Sequence, residues 1–288
     1  MSGPNRPFRW DLVRPDQLGT LLDDVPSAEL PFLDELTDCA AKVLARSGGG
    51  EIHFVGRSLD SVFDLLSGAL GETSWRGRIH QLPLSTARWA WSEFDERDLR
   101  QLRANLAAAG VSPATMASGA EPTVFADLVS SGSTYAQLYR WLRDWIDDER
   151  AAWNVIRRKV RFLGVTCEYR TSPNTRRWQQ IHAAWTGELP ASAIQNISLD
   201  PGVWSYLGNH QQKLTSSFGQ WAWADDSVRV PRHDARTRKA LAEAVALVEA
   251  GRRRTTRELL VRRLTAEPAF RERWLRALVT ELRAAPST

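Results

Sequence analysis

The chain has 288 residues, of which 43% are hydrophobic and 25% are charged. This composition is typical of a globular protein and excludes a disordered or fibrous chain. The first residues lack the apolar segment of a secretory signal, and no run approaches the roughly 18 apolar residues of a membrane helix. We therefore expect a cytoplasmic protein that does not bind a membrane.

The excess of positive charge lies in the last part of the chain. The formal net charge is +4, and from Arg232 onwards Lys and Arg outnumber Asp and Glu by two to one. An arginine cluster at 252–254, followed by arginines at 257, 262 and 263, either contacts the phosphates of a nucleic acid or forms ion pairs on a helical surface. Ion pairing is the more frequent meaning, so nucleic-acid binding is the weaker alternative.

The hydrophobic pattern predicts alternating helices and strands. In chain order it predicts a helix over 31–45, a strand over 51–56, a helix from 59 to about 70, a strand over 78–84, a helix over 96–109, a strand over 122–129, helices over 135–146 and 149–160, and strands over 162–169 and 193–199. Beyond residue 233 it predicts helices over 235–250, from a capping box at Thr255 and Glu258, and over 269–284. This alternation favours an α/β fold with a parallel sheet and right-handed crossovers.

Composition divides the chain into four regions. Residues 1–50 form an arm and a helix, and 51–171 carry the strand and helix alternation of an α/β core. Residues 172–231 are rich in tryptophan, and 232–288 are the basic C-terminal helices.

The most informative segment is the strand and turn at 123–134. A hydrophobic strand places Asp127 near its carboxyl end, and a small polar turn then leads into a helix; the turn consists of Ser130, Ser131, Gly132, Ser133 and Thr134. Backbone amides at the start of a helix, together with hydroxyl groups, form a site for a phosphate group. Asp127 would then accept hydrogen bonds from the hydroxyls of a sugar that carries this phosphate.

This segment resembles the signature of the type I phosphoribosyltransferase family, in which a similar loop holds the 5-phosphate of phosphoribosyl pyrophosphate (PRPP). The resemblance covers about residues 50–170 and implies a parallel, Rossmann-like sheet with an additional hood. It matches Asp127 and the turn after it, whereas Ala126 stands where the family usually has another acidic residue. The hood of related enzymes binds the acceptor, which places acceptor recognition in 172–231.

An earlier turn fits the same family pattern. Gly56, Arg57 and Ser58 follow the first predicted strand, where the family binds pyrophosphate through backbone amides and a basic residue. Arg57 would neutralise the departing pyrophosphate by bidentate contacts. Asp60 is either the cap of the next helix or the partner of a water molecule on Mg²⁺, the cofactor expected with PRPP.

The resemblance implies a glycosyltransferase of nucleotide metabolism. It would move a phosphoribosyl group from PRPP to a small-molecule acceptor, with Asp127 and Arg57 as catalytic residues. The residues leave two alternatives open: a PRPP-sensing or nucleotide-sensing protein without catalysis, and an adaptor that binds nucleic acid or protein through its basic helices. The acceptor and any oligomeric state are left open.

Overall fold

The computed structural model describes residues 4–86, 95–169 and 177–286. Its strands form one parallel sheet in the order β2-β1-β3-β4-β5. They are β1 (Glu51–Val55), β2 (Ile79–Leu82), β3 (Thr123–Leu128), β4 (Val160–Cys167) and β5 (Ile194–Leu199). The predicted α/β class and parallel sheet are confirmed, and this strand order is one of the two common doubly wound arrangements.

Helices cover both faces of the sheet. They are α1 (Leu33–Arg46), α2 (Asp60–Ala69), α3 (Glu96–Ala108), α4 (Pro113–Ser118), α5 (Ser133–Asp148), α6 (Trp153–Lys159), α7 (Ala183–Thr186), α8 (Pro201–Ser205), α9 (Ala235–Arg252), α10 (Arg254–Ala266) and α11 (Arg273–Ala284). Helices α1, α2, α10 and α11 share one hydrophobic core with the sheet, while α3 to α6 share the core on the opposite face. Within the described ranges, no helix combines the length and apolar composition needed to cross a bilayer.

The first residues and the C-terminal helices belong to the same packed unit. Trp10 and Leu12 of the N-terminal segment are buried in one cluster with Leu241 of α9. Arg9 from this segment forms ion pairs with two buried carboxylates of α2, Asp60 and Asp64. The N-terminal segment therefore connects α2, through these ion pairs, with α9, through hydrophobic packing.

The arginine cluster of the last region is largely engaged within the chain. Arg252 pairs with Glu249 at 2.6 Å, and Arg254 pairs with Glu258 at 2.8 Å. Arg257 is buried and donates a hydrogen bond to the backbone oxygen of a residue near the C-terminus, Pro286. These contacts are those of the ion-paired helical surface that the sequence pattern favours.

The capping box predicted at the start of α10 does not form. Helix α10 begins at Arg254, directly after α9, and its N-cap residue makes no side-chain hydrogen bond. Thr255 therefore already lies inside the helix, and the prediction was wrong.

Two other helix starts were predicted too early. The helix predicted over 149–160 begins only at Trp153, because Arg150 has a positive φ of 51° just after the end of α5. The helix predicted from 269 begins at Arg273, because a 3₁₀ turn, Pro268–Arg271, precedes it.

Helices α2 and α9 cross with their backbones in direct contact. A Cβ atom added at Gly68 would lie 2.0 Å from the backbone oxygen of Val248, and one added at Gly251 would lie 2.1 Å from that of Leu65. These contacts are with backbone atoms, which cannot move aside as a flexible side chain can, so a larger residue would push the helices apart. The two glycines therefore set the distance between the helices.

We predict that Gly68→Ala and Gly251→Ala each lower the free energy of unfolding by about 1–3 kcal/mol, because overpacking outweighs the gain in helix propensity. Urea denaturation measures this change. Gly77→Ala is the matched control, because a Cβ there meets nothing within 4 Å. Unchanged or increased stability of the two helix variants would show that the glycines do not set this crossing.

Candidate functional site

A crevice lies at the carboxyl ends of the strands, where β1 and β3 are neighbours. Helix α2 follows β1 onto one face of the sheet, and α5 follows β3 onto the other. Because the two connections leave in opposite directions, the edge between these strands stays open, which is where ligands bind in sheets of this class. A cavity of about 1130 Å³ begins in this crevice and runs along the sheet past His53 and His80 to Glu51 and Thr123, at the amino ends of β1 and β3.

The turn after β1 forms one wall of the crevice. Gly56, Arg57 and Ser58 all line the cavity. Arg57 donates a hydrogen bond of 2.7 Å from Nη1 to the backbone oxygen of Thr215. Burial lowers the pKa of Arg57, yet a guanidinium remains charged at neutral pH. The turn thus presents a fixed positive charge to the crevice.

Asp60 also lines the cavity, but its carboxylate is already engaged. It forms an ion pair of 3.2 Å with Arg9 and accepts a hydrogen bond of 2.9 Å from Gln81. It does not cap α2, whose N-cap residue Leu59 has no side-chain hydrogen bond. In the described ranges, no group of three His, Cys, Asp or Glu side chains is arranged to hold a metal ion. These residues do not fit a resident magnesium ion, and we derive no step from one.

Asp127 lies at the end of β3 and is buried, with 7% of its surface exposed. Burial raises its pKa to about 8, although the Leu128 amide and the charge of Lys213 oppose the shift. The Leu128 N–H donates a hydrogen bond of 2.7 Å to Oδ1 of this side chain. At pH 7 the carboxyl group is therefore mostly protonated, so it can both donate and accept a hydrogen bond.

The turn after β3 leaves the start of α5 open. Gly132 has a φ of 82° and, as the N-cap residue of α5, provides no side-chain cap, although the Ser133 N–H donates a hydrogen bond of 3.4 Å to the Ser131 hydroxyl. Ser130, Ser131 and Ser133 are exposed. Because the first amides of a helix have no partner within it, such an end provides donors for an anion.

Trp178 covers the inner side of this turn. A Cβ atom at Gly132 would lie 2.3 Å from the indole ring, so the space beside this glycine is filled. The indole is fully buried and donates a hydrogen bond of 2.7 Å to Asn196. It belongs to a 3₁₀ turn, Trp178–His182; residues 170–176 lie outside the described ranges.

Two cations that sequence reasoning missed also line the crevice, Lys213 and Arg236. Burial lowers the pKa of Lys213 to about 8, and nearby Asp60 opposes this shift while Arg57 adds to it. The ammonium group donates a hydrogen bond of 2.5 Å to Gln211. Residues 211–217 match no known sequence motif, so the sequence gives no sign that Lys213 is part of a site. Lys213 and Arg236 line the same cavity as Arg57 only because of the tertiary fold.

The structure brings together part of the predicted site. The cavity in the crevice is lined by predicted residues from both turns: Gly56, Arg57, Ser58, Asp60, Asp127 and Thr134. Ser130, Ser131 and Gly132 lie in the adjoining turn but do not line this cavity, and Ser133 borders a second cavity on the outer face of α5. The predicted residues are therefore divided between the crevice, the adjoining turn and the second cavity.

Comparison of the chain with protein-family models, with curated proteins and with solved structures finds no match. The site must therefore be interpreted from its own geometry and charges.

We predict that Asp127→Asn changes the pH dependence of stability. An unfolded aspartate titrates near pH 3.9 and the folded Asp127 near 8, so the folded state holds an extra proton between these values. Stability of the natural chain therefore falls as pH rises through this interval. The variant lacks this titration, so between pH 5 and pH 8.5 we expect it to lose about 2–4 kcal/mol less than the natural chain does.

Urea denaturation at the two pH values measures the difference. Asp23→Asn is the control, because Asp23 is exposed. If the natural chain and Asp127→Asn lose stability in parallel, Asp127 is not a buried carboxyl group with a raised pKa.

Proposed function

We propose that the chain binds PRPP in the crevice and transfers its phosphoribosyl group to a small-molecule acceptor. The observation that carries this proposal is that buried Asp127 and Thr134, in the first turn of α5, line the same crevice as Arg57. The resemblance of 123–134 to the phosphoribosyltransferase signature supports it.

The turn at 130–134 is the proposed seat of the 5-phosphate. Its serine hydroxyls are exposed, and the N-terminal end of α5 carries partial positive charge. Tyr135 fastens this end to the sheet, because its hydroxyl lies 3.0 Å from the backbone oxygen of Phe125 and 2.7 Å from that of Leu163. The amides of this helix start would donate to a phosphate, with the Ser133 N–H exchanging its bond of 3.4 Å to the Ser131 hydroxyl for one to the phosphate.

Asp127 is the proposed partner of the ribose. It lies at the end of β3, shortly before the phosphate seat, and it lines the crevice together with Thr134. A protonated carboxyl group donates to one hydroxyl oxygen and accepts from another. It would hold the sugar in position while positive charge develops at the anomeric carbon.

The pyrophosphate would lie against Arg57, Lys213 and Arg236. All three cations line the cavity, and Lys213 is mostly protonated at pH 7 with its pKa near 8. Magnesium enters this proposal only as the ion that accompanies PRPP. The cations would stabilise the pyrophosphate as its bond to the anomeric carbon breaks and the acceptor forms the new bond, so catalysis requires positioning and charge but no covalent nucleophile.

A PRPP-sensing protein is the second candidate. Ala126 stands where the family has an acidic residue, and its side chain is fully buried in the core that the sheet shares with α1 and α2. Without this carboxylate, the site would still bind PRPP but would lack one of the acidic residues that the family has, which favours a sensor over a transferase.

Titration calorimetry with PRPP and Mg²⁺ tests the proposal. We expect binding to the natural chain and a loss of at least about 10-fold in affinity for Ser133→Asp, because the added carboxylate repels the phosphate. An acidic residue in the first turn of a helix does not disfavour folding. Ser112→Asp, at the start of α4, is the matched control and should bind normally.

No binding by the natural chain, or equal binding by Ser133→Asp, would reject both the transferase and the sensor. Pyrophosphate release with candidate acceptors then separates them: release supports the transferase, and binding without release supports the sensor.

A further inference from the structure

A second cavity, of about 480 Å³, lies on the outer face of α5. Its walls come from α5, from 182–185 and from 220–223. They combine aromatic side chains, among them Tyr139, Trp141, Trp185 and Trp223, with charged residues of α5 such as Arg143 and Asp144. It shares Ser85 and Thr86 with the crevice. The hydroxyl of Thr86 donates to that of Thr134 at 3.1 Å, which links the two cavities.

The aromatic walls are held in fixed positions. Tyr139 and Trp185 are stacked, with ring centres 4.7 Å apart and planes at 27°. The Tyr139 hydroxyl donates a hydrogen bond of 2.8 Å to Glu188. Trp141 and Trp223 meet edge to face at 6.1 Å. Rigid aromatic walls of this kind favour flat apolar ligands.

A buried donor in the wall of this cavity has no partner in the described part of the chain. The Nε1–H of Trp185 is shielded from solvent and finds no acceptor there. Buried donors are normally paired, so this unpaired indole N–H is an unusual feature of the wall, but its atom has almost no surface that a molecule in the cavity could contact. Gln137, which is half-buried, lines the same cavity and brings an amide group to it.

We propose that this cavity binds a planar heteroaromatic molecule that carries a hydrogen-bond acceptor on its ring edge. The ring lies among the aromatic side chains, and its acceptor receives a hydrogen bond from the amide of Gln137. Ala136 forms part of the wall, and its small side chain leaves room for the ring. The site adjoins the crevice through Ser85 and Thr86, but the inference does not rest on PRPP binding.

Ligand-observed NMR and calorimetry with adenine and nicotinamide test this inference. We expect both to bind, and cyclohexanecarboxamide, which carries the same amide on a non-planar ring, to bind at least about 10-fold more weakly than nicotinamide. Ala136→Leu narrows the cavity where the ring would lie and should weaken binding by a similar factor. Ala246→Leu, at a half-buried alanine of α9, is the matched control and should bind as the natural chain does.

Absence of binding by either planar probe at millimolar concentration would overturn the inference, as would binding that Ala136→Leu leaves unchanged. Self-association that Ala136→Leu abolishes, without ring binding, would assign the cavity to a second copy of the chain and also overturn it. PRPP calorimetry on the same variants reports on the proposed function separately.

Discussion

The crevice exists because the helices that follow β1 and β3 pack on opposite faces of the sheet. Because α2 and α5 leave β1 and β3 for opposite faces, neither helix covers the space between these strands. On one side of the crevice, α2 is held in position by its close crossing with α9. On the other side, the Tyr135 hydroxyl of α5 forms hydrogen bonds with the backbone of β3 and β4. The crevice is a consequence of topology, and its chemistry depends on which side chains the later segments bring to it.

Two of the ionisable side chains in the crevice, Asp127 and Lys213, are largely shielded from water. Burial shifts the pKa of Asp127 upwards and that of Lys213 downwards, each to about 8, because both lose contact with water. Arg9 keeps the carboxylates of Asp60 and Asp64 paired nearby. At pH 7 the cation of Lys213 therefore shares the crevice with a mostly neutral Asp127, and an anionic ligand would balance its charge.

Local patterns predicted the parts of the site that lie close together in the chain. Strand β3, Asp127 and the turn at Gly132 form one continuous segment whose residue types indicate their conformation. The positions of Lys213 and Trp178 were not predictable in this way, because their neighbours lie far away in the sequence. The capping box at Thr255 failed for a related reason: α10 follows α9 after a single residue, which leaves no room for a separate cap.

A crystal structure of the chain with ribose 5-phosphate tests the proposed anion site most directly. We expect the phosphate at the amides of residues 131–134 and a ribose hydroxyl within hydrogen-bond distance of Asp127. A phosphate bound elsewhere, with those amides directed away from it, would contradict the central claim that this turn is an anion site.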